Sequence, residues 1–448
     1  MKKSTEILES TLLKAKQLGA THADAVWFET VDVGLSCRNG KPEGIERSES
    51  SVMNLRVFIG DSQAIVSSTD SSEEALNRLA EGAIAMARAT PPDALSGLAP
   101  TQLYPSEIPN LDLCEAEEPT TDWLFEQAKT AEAVALQTQG ITNSEGADAS
   151  YSKNTIALAV MQDGQVGFAE QYNTSHSSLS VSVLAGSGTE MQRDYDFTTA
   201  RHRSDLLTPE SLGKTAAEKA LKRMHPRKIN SAKWPVMYDP RVSRQLLSAF
   251  ASCINGSSVV RGGTFLKDAM DSAIFSSAIT IIDDPRIIRG MASRPFDGEA
   301  VATQKRNIVE AGVLKSWLLD MRSSKALGLA TTGNASRGVG SPPSPSSTNF
   351  YMLAGSDSPK ALMKQMKTGL YITETFGTGI NHITGDYSQG ASGFWVENGE
   401  ITYPVAEITV AGHLRDMFAN AIPADDLIFR YATNAPSLLI DGMMIAGS

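Results

Sequence analysis

Cysteine is scarce: the 448-residue chain carries Cys37, Cys114 and Cys253, far apart and with no C-x-x-C pair. An odd, sparse count excludes a disulfide framework and a thiolate zinc cage, and it fits a reducing compartment. Positive charge is also short, with 40 Lys and Arg against 51 Asp and Glu, a net charge of −11. That balance favours solubility and argues against direct nucleic-acid binding. No apolar run approaches the roughly 18 residues that a membrane span needs. The opening stretch has no signal-peptide core, because Glu6, Glu9 and Lys14 interrupt it. A cytoplasmic protein with no membrane contact is the expectation.

The familiar catalytic patterns are missing as well. None of the six histidines is followed by Glu, so there is no H-E zinc helix. No D-[ST]-G or G-x-S-x-G occurs; Asn334-Ala335-Ser336-Arg337-Gly338 is the nearest approach to the latter. Gly213-Lys214-Thr215 lies in a helical stretch with Thr208 where a phosphate loop needs glycine, and Gly377-Thr378-Gly379 lacks the third glycine of a dinucleotide site. His382, Asp386 and His413 are spaced too irregularly to specify a metal site. The basic run from Lys219 to Lys233 has no interleaved aromatics and reads as a solvated helix end.

What is present is an ordinary globular composition, with 41% hydrophobic and 20% charged residues. The length calls for two or three domains. Ser4 to Leu18 has helical apolar spacing, and Ala25–Cys37, Met53–Phe58 and Gln63–Ser67 read as strands. A second helix spans Ser71 to Ala89, with Asp70 as its expected cap and Pro91-Pro92 ending it. A Pro-rich, acidic connection fills 91–119, and the helix–strands–helix layout then repeats over 118–228. Asp163-Gly164, Ala311-Gly312 and Asn398-Gly399 mark hairpins, the last two-residue signal being the strongest. Residues 331–348 form a Gly/Ser/Pro loop without periodicity, and such a loop inside a compact domain is usually functional or disordered. The fold class is α+β. An N-terminal domain over 1–228 consists of two helix–antiparallel-sheet units, 1–90 and 118–228, and a β-rich domain with a large antiparallel sheet follows over 229–448.

Three segments carry a family resemblance: GIERSESSVMNLRVFIGDSQAIVSSTD (44–70), TGDYSQGASGFWVENGEITYPVAEITVAGHLRDMF (384–418) and PSLLIDGMMIAG (436–447). They resemble the TldD/PmbA family, and within it the PmbA (TldE) branch, once labelled modulators of DNA gyrase. In the TldD branch an H-E-x-x-x-H helix and a Cys near the C-terminus hold zinc. The matching positions here are Ser248 for the first His, Ala249 for the Glu and Cys253 for the second His, with no later cysteine. A zinc-bound water then has neither ligands nor base.

The resemblance implies no catalytic residue and no metal in this chain, with zinc expected in a TldD-like partner. It implies a subunit of a cytoplasmic heterodimeric peptidase that acts on unfolded peptides and helps form the substrate cleft. A stand-alone homodimeric regulatory protein of gyrase-modulator type, paired with a second copy of itself, is the competing reading. The residues expected to contact peptide are Asn334, Arg337, Thr348 and Asn349 in the long loop, with Asn381, His382, Asp386 and Tyr387 beside the hairpin. Their ordinary alternative is loop-stabilising hydrogen bonding.

Overall fold

The computed structural model describes residues 4–447. Its first unit runs α1 (Ser4–Gln17), β1 (His22–Arg38), β2 (Lys41–Ile59), β3 (Ser62–Ser68) and α2 (Glu73–Ala89). The second repeats the order with α3 (Thr121–Leu136), β4 (Ile141–Gln162), β5 (Gln165–Ala185), β6 (Gln192–Ala200) and α4 (Pro209–Lys222). The two units do not form separate sheets. β1 and β4 pair antiparallel from Ala23↔Met161 to Cys37↔Ala147, giving one six-stranded sheet in the order β3-β2-β1-β4-β5-β6. The strand order reads the same outward from that central pair, so a pseudo-two-fold relates the units.

Side-chain alternation sorts the two faces. On β1 the odd-numbered Ala23, Ala25, Trp27, Val33, Leu35 and Cys37 all lie in the cores beneath the helices. On the other face Val26, Leu158, Val160 and Phe168 pack against Phe296 and Ala300 of the C-terminal domain. The sheet is therefore covered on both sides. β2 is longer than the sequence suggests, extending back to Lys41 through residues that are exposed up to Ser50 and carry no apolar alternation.

The cap of α2 is Ser72 and not Asp70. Ser72 Oγ accepts from the Ala75 amide at 3.3 Å, while Asp70 Oδ1 accepts from the Ser72 amide at 2.8 Å and so orients the cap. Asp163 and Gly164 (φ 49° and 73°) and Asn398 and Gly399 (φ 52° and 78°) adopt the paired positive φ that their hairpins require.

The C-terminal domain contains β7 (Ala232–Tyr238), α5 (Pro240–Cys253), α6 (Gly256–Val260), β8 (Ile281–Asp283), β9 (Arg306–Glu310), β10 (Val313–Leu314), α7 (Met321–Leu327), β11 (Ala335–Ser336), β12 (Ser344–Pro345) and β13 (Phe350–Met352). It continues with α8 (Pro359–Met366), β14 (Gly369–Phe376), β15 (Asp386–Glu397), β16 (Glu400–His413), α9 (Leu414–Ala419), β17 (Ile422–Pro423), β18 (Thr433–Asn434) and β19 (Leu438–Ala446). The large sheet, β16-β15-β14-β7-β19-β17, closes on itself because β16 also pairs with β19 through Thr409↔Ala446. A second sheet has the order β10-β9-β8-β13-β18. The expected hairpin around Ala311-Gly312 is β9–β10, with a second arm of only two residues.

α5 belongs to the core that both sheets share. Val242, Leu246, Leu247, Phe250 and Cys253 recur at helical spacing and pack with Tyr238, Ile372, Ile281 and Phe350. Fully burying side chains of this size contributes about 1.5–3 kcal/mol each. That anchoring leaves Gln245, Ser248 and Ser252 of the same helix facing solvent.

Candidate functional site

A concavity of about 670 Å³ opens beside the C-terminal end of α5. Its floor is Ser252 and Ser258, and its wall is the loop from Thr378 to Asp386. This loop is built from its own polar groups. Asn381 Oδ1 accepts from the Ile383 amide at 2.9 Å, the Asn381 amide donates to the Asp386 carbonyl at 2.9 Å, and the Gly385 amide returns to the Asn381 carbonyl at 2.8 Å. Gly379 is required by close approach, since a Cβ there would lie 1.5 Å from the Ser388 carbonyl oxygen.

His382 points back to α5. Its Nδ1 lies 3.6 Å from Cys253 Sγ, and its carbonyl accepts from the Phe265 amide at 3.1 Å. Burial lowers the imidazole pKa below its ordinary value and pushes the Cys253 thiol up to about 12. At neutral pH the pair is an uncharged thiol beside an uncharged imidazole.

His413 is committed elsewhere: its Nδ1 accepts from the Arg415 amide at 3.2 Å, and its Nε2 lies 2.9 Å from the Thr384 carbonyl. Asp386 accepts from the Thr384 hydroxyl at 2.6 Å and remains exposed.

The structure brings Asn381, His382 and Asp386 together in the concavity, and none of the other five expected contact residues lines it. Tyr387 is buried on β15, with burial raising its phenol to about 12. Asn334 is 2% exposed and donates to Asp283 Oδ2 at 2.8 Å. The Thr348 amide donates to Asp283 Oδ1 at 2.6 Å. Asn349 Nδ2 donates to the Asp284 carbonyl and to Ser293 Oγ, each at 2.7 Å. Arg337 is 2% exposed in its side chain and pairs with Asp24 on the N-terminal sheet. These interior groups hold the long loop between the domains, which is why it needs no periodicity of its own. Ser252, Ser258 and Gly263 escaped the sequence reading because only the fold places them beside the loop.

Zinc, which the resemblance places on this helix in catalytic relatives, does not fit the donor set found here. Ser248 donates its hydroxyl to the Arg244 carbonyl at 3.0 Å, and Ala249 is buried. Cys253 faces His382, and among the described residues no three His, Cys, Asp or Glu side chains form a metal-holding group.

Comparison with known proteins agrees with this architecture. Family models of the PmbA/TldA metallopeptidases match domain 1 at residues 23–87, the central domain at 67–224 and the C-terminal domain at 231–447. The chain is 37% identical to the metalloprotease PmbA of Escherichia coli O157:H7, covering 99% of this chain and 96% of that one. It is 36% identical to a PmbA homologue of Haemophilus influenzae, covering 97% and 94%. The structure of TldE from Thermococcus kodakarensis superposes with a TM-score of 0.86 at 17% identity, over 98% and 99% of the two chains. A proposed modulator of DNA gyrase from Bacteroides thetaiotaomicron superposes with a TM-score of 0.89 at 24% identity over both full chains. The chain belongs to the PmbA/TldD metallopeptidase family, in its PmbA (TldE) branch.

Proposed function

We propose that this chain is the zinc-free, non-catalytic subunit of a cytoplasmic two-chain metallopeptidase that degrades or processes unfolded peptides. A TldD-like partner carrying the H-E-x-x-x-H helix supplies the metal and the water-activating Glu. The loop at Asn381, His382 and Asp386 then contributes one wall of the shared cleft, with exposed backbone beside it for an extended peptide. Tyr387 is buried at the strand end beside that wall, whereas Asn334, Arg337, Thr348 and Asn349 hold the long loop between the domains and stand outside the cleft. One observation carries the reading: α5 sits in the hydrophobic core with its motif positions reduced to an internally bonded hydroxyl, a buried methyl and a thiol facing one imidazole.

The test is reconstitution. The chain and a paralogue that retains H-E-x-x-x-H are purified separately and mixed. The expected result is a co-eluting complex and chelator-sensitive cleavage of an unfolded peptide by the mixture, with substoichiometric zinc in this chain alone. Stoichiometric zinc and chelator-sensitive cleavage in the isolated chain would overturn the reading. Stable self-dimers that refuse the paralogue would replace it with the stand-alone regulatory protein.

A further inference from the structure

A second cavity, of about 340 Å³, lies where α4, the first turns of α5 and the segment 426–435 meet. Most of its charged groups already have partners. Lys219 pairs with Asp196 at 3.0 Å. Arg241 pairs with Asp194 at 3.2 Å, and Asp239 accepts from the Arg241 amide and the Tyr371 hydroxyl. Asp426 accepts from the amide and the hydroxyl of Ser437.

Two guanidinium groups are left over. Arg244 lies over the Tyr431 ring, 4.2 Å from its centroid, and its Nε is buried without a hydrogen-bond partner. Among the described residues neither Arg244 nor Arg430 has a carboxylate within ion-pair distance. The loop that carries Arg430 is pinned by Asn434, whose Oδ1 accepts from the Arg430 and Tyr431 amides at 2.9 Å each. A guanidinium beside a cavity without an ion-pair partner is free to take an acceptor there, and a planar fork of donors fits a carboxylate in bidentate fashion.

The position of the cavity says which carboxylate. Arg244 lines this cavity and Ser252 lines the concavity at His382, so the exposed face of α5 joins the two. Eight residues at 1.5 Å rise separate them by about 12 Å, and an extended peptide covers that span with about three to four residues.

We propose that the Arg244–Arg430 cavity anchors the C-terminal carboxylate of a short peptide whose preceding residues run along α5 toward His382. Leu207 and Ile428, also on the cavity wall, supply an apolar surface for the terminal side chain. This direction of binding rests on the cleft reading above, whereas the carboxylate anchor can be tested separately from it.

The experiment titrates the full chain with an N-acetylated, leucine-ended tripeptide as the free acid and as its C-terminal amide. The acid should bind at least about tenfold more tightly, as expected for loss of a charge-assisted bidentate contact. Arg244→Gln and Arg430→Gln should each reduce the acid to the affinity of the amide, with melting curves confirming that both variants fold. Equal binding of acid and amide, or an Arg244→Gln variant that still prefers the acid, overturns the anchor. Amide binding that His382→Ala abolishes would leave the cleft standing while the anchor falls. Acid-selective binding in a chain that never supports peptide cleavage by the complex would do the reverse. Displacement of the acid by an equal concentration of inorganic phosphate would mark a general oxyanion site and end the peptide assignment.

Discussion

Arg337 crosses from the C-terminal domain to place its guanidinium 2.5 Å from Asp24 Oδ1, and both side chains are almost completely buried. Arg56 pairs with the other oxygen of the same carboxylate. Asn54 adds two bonds to the loop, donating to the Gly338 carbonyl and accepting from the Gly340 amide, each at 3.1 Å. Burial opposes ionisation of Asp24, and the Arg337 and Arg56 charges outweigh it and hold its pKa below the ordinary value. Removing Arg337 leaves Asp24 Oδ1 buried without its partner while Arg56 still neutralises the carboxylate, at a cost of about 1–3 kcal/mol. Arg337→Ala should lower stability by about that amount in urea titrations monitored by tryptophan fluorescence. A loss below about 1 kcal/mol would show that Asp24 Oδ1 does not need Arg337 as its partner.

Glu299 should give the protein a stability that falls as pH rises from about 4.5 to about 8. It is buried beside Asp297, and burial first, then the neighbouring carboxylate, raises its pKa to about 8. The sign follows from linkage. Below about pH 4.5 both folded and unfolded forms are protonated and Glu299 contributes nothing. Between there and about pH 8 the unfolded chain ionises while the folded one holds its proton, so stability declines as pH rises; above that range the loss is complete. Glu299→Gln should therefore melt like the parent at pH 4.5 and several degrees higher at pH 8.5. The amide oxygen can still accept from the Met321 amide, as Glu299 Oε2 does at 2.8 Å. Asp297 is shifted in the same direction, so some slope should remain. Equal melting temperatures of parent and variant at pH 8.5 would show that folding does not raise the pKa of Glu299.

Local rules carried much of the fold and little of the site. Asn398-Gly399 and Asp163-Gly164 are legible because a two-residue turn writes its backbone requirement into adjacent letters. The β1–β4 pairing is not, because Ala23 and Met161 meet across 138 positions without a local signal. Both units show helix–strands–helix in the sequence, yet their merger into one sheet needs the tertiary structure. The long loop misleads in another way. Polar residues without periodicity read as a loop that contacts peptide, whereas Asn334 and Arg337 are polar because they satisfy Asp283 and Asp24 in the interior.

Gly379 should be the most sensitive position in the wall of the concavity. The backbone there approaches β15 closely: the Ser388 amide donates to the Gly379 carbonyl at 2.7 Å, and an added methyl would overlap the Ser388 oxygen. Overlap with backbone cannot be relieved by a rotamer change, so Gly379→Ala must shift the loop away from the strand. The expected outcome is faster amide exchange at Asn381 and Gly385 with little change at α5, and a global loss of about 1–3 kcal/mol. Unchanged exchange at those two amides would mean that the loop accommodates the methyl in place.

His382 provides a probe of the same wall that does not depend on activity. Its pKa is lowered by burial, and the facing Cys253 thiol, raised to about 12, stays protonated through the titration. A neutral thiol leaves the imidazole low, whereas a thiolate at 3.6 Å would hold a proton on the ring and raise its pKa. Carbon-detected NMR titration should therefore place the His382 midpoint below the ordinary histidine value of about 6.5 in the parent and leave it there in Cys253→Ala. Gly379→Ala, which opens the wall to water, should move the midpoint back toward that value. A parent midpoint above it that drops on removal of Cys253 would instead identify a thiolate–imidazolium pair, giving α5 a reactive centre in place of a packed one.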